Sequence, residues 1–479
     1  MSPVTNGPLV VLGDALLDRD VHGQVRRLSP DAPAPVLEDA VPSCRPGGAA
    51  LAARLAAEDG IPVVLAAPLG DDEASEIVVS LLEPYVSVVR LPLAGTLAEK
   101  TRFRTGDRTL LRADQGGGHA GPVTGAARAA LADVLSGAGA ILVSDYGRGV
   151  TADPEVRSLL EQLAGRVPLV WDPHPKGAPP VARTRLVTPN HAEALSAAGA
   201  AEAPGEVLAS AVAAARELGS RWSADAVAVT LGERGAVLVQ GGTGPLVIPA
   251  PPVGSTDPCG AGDRFAATAA ATLRRGALTS ESVTSAVTAA SAYLAAGGVT
   301  RYGTPREAGT EDPAGTAVTP GAGFAGGDAG ELARRVRAAG GTVVATGGCF
   351  DLLHAGHVSL LQTARSLGDC LIVCLNSDDS VRRLKGRGRP FNHAADRAAV
   401  LGALGCVDAV AVFEEDTPCE VLDQLRPDVW VKGGDYDGRE LPEAARLETW
   451  GGIAVTVPYL SGRSTTRLAG AALDDAGLR

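Results

Sequence analysis

Lysine is nearly missing from this chain: of 43 basic residues only four are lysine, Lys100, Lys176, Lys385 and Lys432. Arginine supplies the rest of the positive charge, so a retained lysine marks a place where a compact, flexible ammonium is wanted. Their neighbourhoods, KTRFR, DPHPKG, RLKGRGRP and VKGGDY, read as sites rather than solvated faces. Paired cysteines are missing too. The seven cysteines are an odd number without a Cys-x-x-Cys, which excludes a disulfide scaffold and suits buried thiols in a reduced, cytoplasmic setting. No uncharged run is long enough to span a bilayer, and the opening MSPVTNGPLVVLGD lacks the basic and apolar regions of a signal peptide. Neither membrane insertion nor export is expected. A net charge of −12 with a pI near 5.2 argues against a nucleic-acid or anionic-membrane surface, leaving a few placed cations to matter locally. No internal repeat is visible.

What is present is alternation. Apolar runs at 9–12, 63–66, 141–144, 169–171, 186–188 and 226–230 are separated by helical stretches, a pattern that predicts an α/β domain with a mainly parallel sheet and helices on both faces. Ligands bind such sheets outside the carboxyl ends of the strands, and Gly13-Asp14 ends the first one. From Asp20 to Pro46 the chain is polar, Pro-rich and broken, and short β pieces forming a flap are expected there. At 479 residues and 45% apolar content, the chain is too long for one ordinary core and apolar enough to build more than one. The clearest break is 304–330, rich in Pro, Gly, Ala, Thr and acids without apolar periodicity. The expected division is a domain over 1–308, a linker over 309–330 and a second α/β domain over 331–479.

Thr346 to His357, TGGCFDLLHAGH, sits in the second domain between a β-branched run at 342–345 and an apolar face at helical spacing. Its glycines, among them Gly348 beside Phe350, let backbone approach a ligand, and the helix start offers N–H groups and a positive dipole end to phosphate. His354 and His357 are one turn apart, so both imidazoles point to one side. They also fit half of a zinc site, although no nearby Cys or His has the spacing for a third ligand. A second constellation is Asp257 to Asp263, DPCGAGD, at the start of a helix. Gly260, Ala261 and Gly262 can cradle an anion with backbone N–H groups, and Asp263 can take a proton from an attacking hydroxyl. Read alone, the same residues are equally a tight turn with an acid favoured by the helix dipole.

The first motif resembles the nucleotidyltransferase superfamily with a His-x-Gly-His signature. The second stands in line with Arg45-Pro46-Gly47-Gly48, Thr188-Pro189-Asn190 with Glu193, and Thr230-Leu231-Gly232, in the order of the ribokinase-like sugar kinases, the PfkB family. Residues 9–304 resemble that family throughout. Gly13-Asp14, RRLSPDAPAPV, Ser144-Asp145-Tyr146 and Asp172-Pro173 point to one branch, the bifunctional heptose 7-phosphate kinase/heptose 1-phosphate adenylyltransferases, whose second half residues 340–470 resemble. The resemblance implies a ribokinase-like α/β sandwich followed by a smaller Rossmann-like nucleotidyltransferase domain.

Carried over, Asp263 is the kinase base and Gly260, Ala261 and Gly262 the anion hole. Asn190 and Glu193 serve phosphate and Mg²⁺, Glu193 through water, with no direct protein ligand to the metal. Thr230 and Gly232 face ATP, and Asp14, Gly47, Gly48 and Lys100 face the sugar. In the second domain His354, His357 and Lys385 fall in catalytic roles. Gly348, Phe350, Asp378, Arg397, Lys432, Ser464, Thr465 and Thr466 fall in nucleotide or phosphate binding, the last three equally explained as a helix cap. Three departures stand out. Leu51 replaces the Asn usual after Gly-Gly, Pro258-Cys259 stands in the usual lead-in to Ala-Gly-Asp, and Gly347 stands where relatives often have Asn. The implied activity is ATP-dependent phosphorylation of a heptose 7-phosphate at O1, and AMP transfer from ATP to heptose 1-phosphate. A homodimer and a separate phosphatase acting between the steps are also implied. Another sugar kinase fused to a cytidylyltransferase, or an inactive kinase scaffold beside an active transferase, stays open on sequence.

Overall fold

The computed structural model describes residues 7–106, 108–200, 207–254, 257–302, 328–386, 388–434 and 441–458. Residues 309–327 of the expected linker, and Ser464, Thr465 and Thr466, lie outside them. Two compact units result: Met1–Gly199 with Ala214–Ala236 and Ala250–Thr310, and Glu311–Arg479 with Ala200–Ala213 and Val237–Pro249.

In the first unit the apolar runs become parallel strands, in the order Ala226–Thr230, Leu186–Val187, Leu169–Asp172, Ala140–Ser144, Leu9–Gly13, Val63–Pro68 and Ser87–Leu91. Leu9–Gly13 and Ala140–Ser144 are buried along their whole length. That is why these strands read as continuous rather than alternating apolar runs: helices cover both faces of a parallel sheet. The alanine-rich helices Ala49–Ala57 and Ala261–Arg274 pack closely, and Leu51 and Leu55 bury against Tyr293 and Val299.

The flap is more regular than the sequence suggests. Ala15–Leu28 and Pro35–Gly48 are two 14-residue antiparallel strands, Ala15 opposite Gly48 and Leu28 opposite Pro35, with irregularities at His22/Gln24 and Val25/Arg27. Of the prolines that made the stretch look broken, Pro30 and Pro33 lie in the turn between the two strands, and Pro35, Pro42 and Pro46 lie on Pro35–Gly48, the edge strand, where proline is tolerated. Glu99–Thr105 runs parallel to Ala15–Leu28 on its other side and pairs with Arg108–Gln115. Asp14 and Gly48 are thus the two roots of the flap.

The second unit is a parallel sheet in the order Ala409–Phe413, Cys370–Asn376, Val343–Gly348, Val429–Gly434 and Ile453–Pro458. Its core gathers Ile372, Cys374, Leu422, Leu425 and Trp430. The helix Ala329–Ala338 precedes the first of these strands in the chain, its start capped by Asp328 accepting from Gly330 N at 2.9 Å.

Leu142 is fully buried one strand from Trp171. Leu142→Ala is expected to destabilise the first unit by about 2–5 kcal/mol, seen as a lower urea midpoint by tryptophan fluorescence. An unchanged midpoint contradicts the two-sided burial of this sheet.

Candidate active sites

Four acids gather at the carboxyl edge of the first sheet. Asp14 is 2% exposed, and its Oδ2 accepts the backbone N–H of Tyr146 at 3.1 Å and of Arg148 at 2.9 Å. Burial pushes its carboxyl above the usual range, against the pull of those N–H groups. Asp145 accepts Gly147 N and Thr151 Oγ1, each at 2.7 Å, and burial carries it up to about 6. Asp172, held by Thr188 Oγ1 at 2.8 Å, is raised well above the ordinary value by burial, with Asp263 adding repulsion. Asp263 is 6% exposed; burial pushes it up to about 7, opposed chiefly by the Tyr146 hydroxyl, which donates to Oδ1 at 2.8 Å. A carboxyl poised there can exchange a proton near neutral pH.

Gly260 caps the helix Ala261–Arg274 with φ +82°. A Cβ there would lie 2.5 Å from Tyr293 Oη and 3.1 Å from Leu51 Cδ2, so both conformation and space demand glycine. The cradle differs in one detail from the expectation. Ala261 N–H is taken by Pro258 O at 3.1 Å, while the N–H groups of Gly262 and Asp263 find no acceptor among the described residues. Leu51 packs behind this loop, 2% exposed, beside Cys259. Residue 51 therefore supports the helix start from inside the core.

Gly47 and Gly48 lie beside Asp14 at the flap root. Lys100, pushed down by burial, places its ammonium 5.5 Å from the Tyr146 ring centroid. Under the flap, Asp18 pairs with Arg45 at 3.1 Å and Arg102 at 2.9 Å, Arg45 with Asp20 at 3.2 Å, and Arg104 with Asp257 at 3.6 Å. Asn190 and Glu193 cap the helix His191–Ala198 reciprocally, Glu193 N to Asn190 Oδ1 at 3.0 Å and Asn190 N to Glu193 Oε2 at 2.9 Å. Asn190 forms a β-bridge with Thr230, which ends its strand, and Gly232 follows with its α-carbon facing open space.

In the second unit His354 caps the helix Ala355–Ser366 and His357 lies in its first turn. Their rings stack, centroids 3.9 Å apart, and Phe350 lies 5.2 Å from His357. Burial, with His354 and Lys385 adding, pushes His357 down to about 4, so at neutral pH it is an uncharged donor. No cluster of three His, Cys, Asp or Glu that could hold a metal occurs among the described residues. Lys385 ends the helix Asp378–Lys385. Lys432, on Val429–Gly434, has Glu443 Oε1 at 3.6 Å and sits 5.3 Å over the Trp430 ring.

Arg397 is placed differently from a phosphate ligand. It is 3% exposed and donates to Asn392 O at 3.0 Å, Cys349 O at 2.6 Å, Asn376 O at 2.9 Å and Asp378 Oδ1 at 2.7 Å. It ties three loops of the site together. Burial works against the charge on Asp378, but Arg397 and His393 hold its carboxyl below the usual range. Sequence reading also missed Asp351, whose buried carboxylate takes Arg389 at 2.7 Å and Phe391 N at 2.7 Å. Gly347 is explained by Trp430: a Cβ there would lie 2.5 Å from the indole Cη2.

The two geometries call for a kinase and a nucleotidyltransferase in one chain, and comparison with known proteins finds both. The pfkB family carbohydrate kinase profile matches residues 134–305 and the cytidylyltransferase-like profile residues 345–460. The bifunctional protein HldE of Streptomyces coelicolor is 55% identical over 469 residues, 98% of this chain and 97% of that one. The chain belongs to the HldE family. A second HldE, from Azorhizobium caulinodans, is 37% identical over 473 residues, covering 96% of this chain and 97% of its own. Among solved structures, Arabidopsis thaliana ribokinase complexed with ribose and ATP is similar over 60% of this chain and 91% of its own, at 20% identity and a TM-score of 0.46. The HldE assignment covers both halves, so each site belongs to an enzyme that uses ATP.

The Gly347–Trp430 contact generates a test. Gly347→Asn is expected to destabilise the second unit by about 1–3 kcal/mol through overpacking, and Trp430→Leu in the same chain should restore much of it. Equal thermal midpoints for wild type and Gly347→Asn would show that the indole yields freely.

Proposed function

We propose that the first unit phosphorylates O1 of D-glycero-D-manno-heptose 7-phosphate, giving the 1,7-bisphosphate. The second transfers AMP from ATP to heptose 1-phosphate, giving ADP-heptose and pyrophosphate. The observation that carries this reading is Asp263 at a helix start, beside open N–H groups and linked through Tyr146 to Asp14, in the same chain as the stacked His354 and His357. Asp263 takes the proton of the sugar hydroxyl as its oxygen attacks the γ-phosphorus. The N–H groups of Gly262 and Asp263 receive the charge on the transferring phosphoryl oxygens. Lys100, Arg102 and Arg104 lie at alternate positions of one strand beside Asp18 and Asp257, a cationic face that suits a sugar already carrying phosphate.

In the second unit His354 and the neutral His357 donate to the α-phosphate as charge shifts during attack. Lys385 and Lys432 neutralise the triphosphate beside the loop of Gly348 and Phe350, whose ring packs over that glycine. Mg²⁺ accompanies ATP in both reactions and neutralises phosphate charge when bound. Glu193, half-buried at a helix cap, fits an ion that keeps its waters and leans on phosphates.

Because the kinase product is a bisphosphate and the transferase takes a monophosphate, a separate phosphatase must act between them. The exposed Leu28, Val41 and Leu111 on the flap sheet support a homodimer. No described helix is long and apolar enough to cross a membrane, and we place the enzyme in the cytoplasm. We assign the kinase to 1–308 and the transferase to 331–479, joined over 309–330, because the two family matches fall on either side.

Asp263→Asn is expected to cut sugar phosphorylation by roughly two to four decades while leaving adenylyl transfer intact. Near-normal kinase turnover removes the base from this residue. Either His354→Ala or His357→Ala should slow adenylyl transfer about a hundredfold or more, beyond any loss of ATP binding. Unchanged rates in both variants, or stoichiometric zinc lost on substitution, would overturn that assignment.

A further inference from the structure

Tyr146 touches both acids of the kinase site through different parts of the same residue. Its backbone N–H donates to Asp14 Oδ2 at 3.1 Å, and its hydroxyl donates to Asp263 Oδ1 at 2.8 Å. The ring between these contacts is held in place. The Lys100 ammonium lies 5.5 Å from its centroid and the His174 ring stacks at 6.4 Å with an interplanar angle of 24°. Burial and the nearby Asp263 push the phenol well above its ordinary value, so the hydroxyl keeps its proton and stays a donor. Nothing in the kinase step described above uses this residue.

We propose that Tyr146 is a positioning residue of the kinase site, whose hydroxyl occupies Asp263 Oδ1 and so turns Oδ2 toward the sugar hydroxyl, while its N–H fixes the Asp14 carboxylate. This rests on the reading of Asp263 as the base. In the step it serves, the sugar O–H proton passes to Asp263 Oδ2. The sugar oxygen bonds to the γ-phosphorus, and the bond from that phosphorus to the leaving ADP oxygen breaks. The carboxylate has two oxygens and needs one free. A donor locked on Oδ1 leaves the other with a defined direction.

Charged groups of the flap sheet, Asp18, Arg45 and Lys100, act on Asp263, and Asp263 in turn raises Asp172 at a neighbouring strand end and Tyr293 on the helix Thr279–Ala295. Burial and then Asp18 raise Asp263, and Lys100 and Arg45 lower it. Of the groups that favour the ionised form, the Tyr146 hydroxyl acts most strongly. Removing that donor therefore raises the pKa of Asp263, and the ionised fraction falls at and below neutral pH.

Tyr146→Phe keeps the ring and the backbone N–H and deletes only the hydroxyl. The acid limb of the kinase kcat/KM profile, near pH 7 in the wild type, should move up by about one unit. That gives about tenfold lower activity at pH 6 and recovery of most of it by pH 9. The loss should fall on kcat more than on the sugar KM, and adenylyl transfer serves as the folding control. Combining Tyr146→Phe with Asp263→Asn should be no worse than Asp263→Asn alone, because the hydroxyl acts through that carboxylate. An unmoved acid limb, or a loss equal at every pH and additive with Asp263→Asn, overturns the inference and leaves the base in place. An active Asp263→Asn removes the base itself, and the inference with it.

Discussion

Asp14 leaves water where the first strand of the sheet ends, and two backbone N–H groups from the loop after the neighbouring strand hold its carboxylate there. A carboxylate so buried is tolerable only while those donors stay in place. The requirement fixes the loop 145–149 against the first strand, and with it Tyr146 and Asp145. Tyr146 in turn reaches Asp263 across 117 residues of chain. The flap starts at the residue after Asp14 and returns at Gly48, so both of its strands are rooted beside the same buried acid. The geometry of the kinase site is therefore set from the sheet edge outward.

The second unit solves a similar problem with a cation. The Arg397 side chain, one of the most buried cations in the structure, is surrounded by three backbone carbonyls and the Asp378 carboxylate. Guanidinium suits this because its donors diverge in a plane, whereas an ammonium could not reach all four acceptors. Asp351 does the reverse job with a carboxylate, gathering Arg389 and the N–H groups of Phe391 and Asn392. Together they hold the loops on either side of His354.

Much of this was legible in the chain itself. The parallel strands were readable because burial on both faces makes them continuous apolar runs, and Ala226–Thr230 falls where its run does. The histidine pair was readable because its members are neighbours on one helix turn. The flap was misjudged because the prolines of its turn and those of its edge strand look alike in sequence, and edge position is a property of the whole sheet. Arg397 looked like a phosphate ligand because residue type cannot reveal how many carbonyls converge on a side chain. Tyr146 with Asp263, and Asp351 with Arg389 over 38 residues, were invisible as pairs because only the folded sheet brings them together.

The fit of Gly347 against Trp430 also bears on how such a site changes over generations. The indole fills the volume that any side chain at 347 would enter. A side chain at 347 and an indole at 430 therefore compete for one volume, at the overpacking cost of about 1–3 kcal/mol already given. What either position tolerates depends on the residue at the other.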